Sequence, residues 1–144
     1  MLGIQYTNLA ERIPLRVAVG LESREDFLSR AVAGYKASQH INKTIPPGKR
    51  VPGVETEHVR FYLNPPIDVI TETLPDHPLR KVTGSDEDVA AALDRIGYAH
   101  LLMSRQAMHI GQTSYANPQF LDRFGTMEYQ DDEVALYRMK SVLK

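Results

Sequence analysis

The sequence predicts an α/β domain: a small, mainly parallel sheet flanked by helices, with a C-terminal antiparallel hairpin at one edge. Three observations carry that prediction. Ser85 to Arg105, SDEDVAAALDRIGYAHLLMSR, reads as a helix, a one-glycine break and a strand. Upstream, helix-patterned and β-branched stretches alternate, as they do where helices cover a sheet. At the C-terminus, two β-patterned runs flank the short acidic turn Gln130-Asp131-Asp132.

Each part of the central unit has a physical reason. Ser85 can accept a hydrogen bond from a free first-turn amide, and Asp86, Glu87 and Asp88 sit where the helix dipole favours negative charge. Val89, Ala92, Leu93 and Ile96 fall at helical spacing on one stripe. Gly97 can adopt the left-handed conformation that ends a helix. Tyr98 to Met103 is then almost continuously apolar, the pattern of a strand covered on both faces.

Residues 1–20 read as a lead-in, and 21–144 as a single domain. Within the lead-in, Leu15 to Val19 fits a short strand or an extended arm. Ser23, with Asp26 three residues on, opens a helix whose apolar side is Phe27, Leu28, Ala31, Val32 and Tyr35. That helix is predicted to run to His40 or Ile41, with Gly34 in its interior at a cost of about 1 kcal/mol against alanine. Ile45-Pro46-Pro47-Gly48 stops it.

Lys49 to Glu57 is a candidate strand, and Pro52-Gly53 assigns it to a sheet edge or a loop. Val59 to Leu63 is a short element whose type the pattern leaves open. Ile67 to Leu74 alternates with β-branched residues and predicts a strand. Pro75 to Gly84 reads as a polar loop and Gln106 to Ala116 as an irregular connection. Asn117-Pro118 begins a short helix through Phe124, with Asn as cap and Pro in the first turn.

Composition removes several classes of function. A net charge of −1 gives no general electrostatic case for nucleic acid or an anionic membrane as partner. The absence of cysteine excludes a disulfide framework, a thiol nucleophile and a thiolate metal site. No apolar run approaches the ~20 residues that span a bilayer, and the first 21 residues lack a signal-peptide pattern. The chain as given is expected to be soluble.

The residues capable of chemistry have competing structural explanations. His40, His58, His77, His100 and His109 contain no pair at the helical spacing of a zinc site, and His100 reads as a core histidine. The acids at 86–88 are explained by capping, and Asp131-Asp132 by the turn. Ser104 follows an apolar strand without a nucleophile-elbow motif and reads as a solvated strand end. Gly84 and Gly97 do not form a phosphate loop. Asn42-Lys43-Thr44 fits the N-glycosylation pattern, which chance readily supplies. The candidate anion contacts are Lys49, Arg50, Arg80, Lys81 and Arg105. No catalytic residue, metal ligand or cofactor is predicted.

Four stretches, taken in order, resemble a known pattern. Val19 to Leu28 resembles "G-x-x-S-R-E-x-Y/F-L", the opening of a domain's first helix. Tyr35 to Asn42 followed by Ile45 to Val51 resembles a helix end, "L/I-P-P-G-x-x-V", and a first strand. Ser85 to Arg105 resembles a helix followed by "L-G-Y/V-x-H/Y-L-L-V-S", and Phe124 to Met139 is similar to a closing "Y-x-D-x-x-V-A-L-Y-R-L" hairpin. The pattern is that of the extracytoplasmic C-terminal region of multi-spanning glycosyltransferases related to protein mannosyltransferases, which take sugar from a polyprenyl-phosphate carrier. The resemblance runs from about Leu15 onward and rests on packing and turn signals. It departs from the family at Pro52-Gly53, where the family's chain continues as a buried strand.

The resemblance implies a soluble accessory domain on the extracytoplasmic face, without a catalytic centre of its own. The family's catalytic acid lies beside the first membrane spans, a part with no counterpart among these residues. The implied partners are the membrane-spanning catalytic part of the same protein and a lipid-linked sugar or its acceptor. Two other readings stand beside it: a free-standing α/β module that binds a small anionic ligand at the sheet's C-terminal edge, and a structural oligomerisation domain.

Overall fold

The computed structural model describes residues 15–32, 34–70, 82, 84–110, 115 and 117–143. In chain order the helices are α1 (Leu15–Ala18), α2 (Arg24–Ala31), α3 (Tyr35–Thr44), a 3-10 helix (Glu57–Tyr62), α4 (Asp86–Ile96), α5 (Arg105–Ile110) and α6 (Pro118–Phe124). The strands are β1 (Val51–Val54), β2 (Ile67–Ile70), β3 (His100–Ser104), β4 (Gly125–Gln130) and β5 (Val134–Met139). They form one mixed sheet in the order β2-β1-β3-β5-β4. It is parallel across β2-β1-β3 and antiparallel across β3-β5-β4, with the hairpin at one edge as predicted. The class is α/β.

Alternation along β3 explains the layering, because successive side chains point to opposite faces. Leu101 and Met103 enter a core with Val89, Ala92 and Leu93 of α4, and with Phe120, Leu121 and Phe124 of α6. Leu102 faces the other way, into a cluster with Ala37 and Ile41 of α3, Val59 of the 3-10 helix, and Val51 and Leu136 of the sheet. Helices therefore cover both faces. Each fully buried Leu, Ile or Phe contributes roughly 1.5–3 kcal/mol by transfer from water.

The α4–β3 unit has the predicted caps. The Ser85 side chain accepts from Asp88 N, and the Asp88 carboxylate accepts from Ser85 N, which together make a capping box. Gly97 is left-handed at φ 88°, and the Tyr98 amide closes onto Leu93 O at 3.0 Å. Asn117 accepts from Gln119 N at the head of α6.

Several expectations are corrected. Leu15–Ala18 is a helical turn rather than a strand or arm, and it buries no residue. The predicted long helix is two helices: α2 ends at Ala31, and α3 starts after Gly34, which is left-handed at φ 72°. The break lets the 3-10 helix approach, since a β-carbon on Gly34 would lie 2.1 Å from Val59 Cγ1. The connection predicted to be irregular begins with α5. Ser104 is buried, not solvated, and its Oγ accepts from Gln106 N at 3.2 Å.

The largest correction concerns Lys49 to Glu57. Its central part, β1, is an inner strand between β2 and β3. Val51 N donates to Pro66 O on the β2 side at 3.0 Å. Neighbouring residues of a parallel strand bond in opposite directions, so the position of Pro52 faces β3. The β1–β3 register starts only at Gly53 opposite Leu102, one residue later. The missing proline amide falls where that ladder has not begun. Of the predicted strand at 67–74, residues 71–74 lie outside the described residues, as does most of the loop at 75–84.

Candidate functional site

The strand order creates a switch point. From β1 the chain passes through the 3-10 helix to β2 on one side, and then returns through α4 to β3 on the other. In open α/β sheets, ligands sit beyond the carboxyl ends of strands at such a reversal. Here the register sets Val54 opposite Met103, so Glu55 and Ser104 are the residues that leave adjacent strand ends.

Glu55 is the non-glycine residue with positive φ among the described residues, at 51°. Holding a side chain there costs about 1–2 kcal/mol, and such strain persists where surrounding structure imposes it. The next residue, Thr56, is completely buried, and its Oγ1 has no hydrogen-bond partner. Gly53 makes room for that hydroxyl, since a β-carbon at position 53 would stand 2.3 Å from it.

Arg105 follows β3 at the same edge. Its amide donates to Glu133 O at 2.9 Å, and its Nη1 donates to Asp131 O at 3.2 Å. The turn that receives it is rigid, because Asp131 Oδ1 accepts from both Glu133 N and Val134 N at 2.9 Å. The side chain is half-buried. A guanidinium held by one nitrogen keeps other N–H donors in a fork suited to carboxylate or phosphate.

The other candidate cations do not join it. Lys49 and Arg50 precede β1, at the opposite end of the parallel strands from Arg105. Arg50 pairs with Asp68 Oδ1, and Tyr98 donates to Asp68 Oδ2 at 2.5 Å. Burial, with the Asp68 bond second, pushes the Tyr98 hydroxyl far above the ordinary tyrosine range. This group ties β1, β2 and the α4–β3 turn together. Arg80 and Lys81 lie outside the described residues.

A second polar cluster crosses β3, β5 and β4. His100 stands opposite Arg138 in register, and a bulge between Met127 and Tyr129 turns Glu128 towards both. Glu128 Oε1 pairs with Arg138, and Oε2 lies 3.2 Å from His100 Nε2. His100 and Glu128 are both largely buried. Burial holds the imidazole below the usual histidine range, and Arg138 acts the same way. Glu128 opposes them. Next to this cluster the His40 ring stacks on Tyr129 at 4.8 Å, with its Nε2 buried and unpartnered. Burial first, and then Asp131, pushes the Tyr129 hydroxyl up to about 12.

The remaining candidates serve the fold. Asn42 donates to Tyr62 O at 2.8 Å and accepts from Asn64 N at 2.7 Å, so its amide clamps the 3-10 helix to α3. Glu87 pairs with Arg123 across α4 and α6. Among the described residues no group of His, Cys, Asp and Glu could hold a metal ion.

Glu55, Thr56 and Glu128 carry no motif. Positive φ, a buried orphan hydroxyl and a bulge each arise from tertiary register, so only the fold exposes them. Compared with protein-family models, curated proteins and solved structures, the chain matches none of them.

Proposed function

We propose that this chain is an extracytoplasmic accessory domain of a multi-spanning membrane glycosyltransferase that draws sugar from a polyprenyl-phosphate carrier. In this reading the bond-making groups belong to the membrane-embedded part of the same protein, and this domain packs on that part and helps hold carrier-linked sugar or acceptor. The observation that carries it is the order of the four resembling stretches. Each coincides with a structural punctuation mark: Ser23 caps α2, Ile45-Pro46 ends α3 ahead of β1, Ser85 to Arg105 makes α4 and β3, and the last stretch makes β4 and β5. No helix among the described residues is long and apolar enough to cross a membrane.

The coding sequence upstream of Met1 tests the proposal. An in-frame region with several membrane spans is expected. A native start at Met1 with no span before it overturns the reading.

One observation favours a second reading, a module that binds a small anion. Arg105, with spare donors, stands just after β3, one of the two strands that border the switch point, with its side chain held to the β4–β5 turn. Calorimetry against sugar phosphates and nucleotides should then show heat that Arg105→Ala abolishes. No heat with any of them removes this reading.

A further inference from the structure

We draw no further inference here: the strongest candidate, the exposed apolar face that Leu15, Val19 and Leu21 present on α1 and the turn after it, has nothing in the structure to show what covers it.

Discussion

Gly34 and Val59 meet so closely that a single added carbon does not fit between them. A β-carbon on Gly34 would stand 2.1 Å from Val59 Cγ1, and the backbone there is left-handed at φ 72°. The contact joins the start of α3 to the 3-10 helix, and with it the whole layer beneath Leu102 and Leu136.

Gly34→Ala should therefore destabilise twice, through backbone strain and through overpacking. The expected loss is about 2–4 kcal/mol in urea unfolding. Val59→Ala in the same chain should be less than additive with it, because it removes the clash. Full additivity would mean that the two residues do not touch.

The His100 cluster predicts a direction for pH dependence. Its folded pKa lies below the ordinary histidine value, with burial as the first cause. The unfolded chain then takes the proton first, so stability is intact above the unfolded value, about 6.5. It falls as pH drops from there towards the folded value, by at most about 1.4 kcal/mol per pH unit from this group. Urea midpoints at about pH 7.5 and about pH 5 should differ more for the native chain than for His100→Gln. An equal difference would remove His100 from the explanation.

Asp94 holds the C-terminal residues down. Its Oδ2 accepts from Ser141 Oγ, Val142 N and Leu143 N, each at 2.8 Å. These bonds, that from Leu143 N first, hold the carboxyl below the ordinary aspartate range. The clamp should therefore be present above that ordinary value and weaken as pH falls through the folded one. In Asp94→Ala, the Val142 and Leu143 amides should lose hydrogen-exchange protection while the β3 amides keep theirs. Unchanged protection at 142 and 143 would contradict the clamp.

Thr56 carries a buried hydroxyl without a partner. Replacing one such group by an apolar isostere is neutral or favourable. Thr56→Val should leave stability unchanged or raise it by up to about 1 kcal/mol in denaturant unfolding. A clear loss would show that the hydroxyl has a bonding role in the fold.

Where local chemistry decides structure, the sequence was readable. The Ser85 cap, the left-handed Gly97, the Asn117-Pro118 start and the acidic hairpin turn each act within a few residues, and each stands where expected; the reciprocal bond from Ser85 N to Asp88 is added by the structure. Where packing between distant residues decides, it was not. Gly34 caps α3 in a left-handed conformation, and its missing β-carbon leaves the space that Val59, distant in sequence, needs. Pro52 argues for an edge strand until the register shows that its missing amide faces β3 where the β1–β3 ladder has not begun. The candidate cations fared likewise. Arg50 and Arg105 both look like loop residues, yet the sheet sets them at opposite ends of its parallel strands. Chain order sets which end of its own strand each residue occupies, but only the register shows that β1 and β3 are parallel neighbours.

The proposed function makes one claim that cell fractionation reaches directly. An antibody raised against this domain, applied to fractions of the source cells, should detect a membrane-bound band far larger than the 16.2 kDa of this chain. External protease should remove the epitope from intact cells stripped of any outer barrier. A soluble band at 16.2 kDa, protected from that protease, would contradict the proposal.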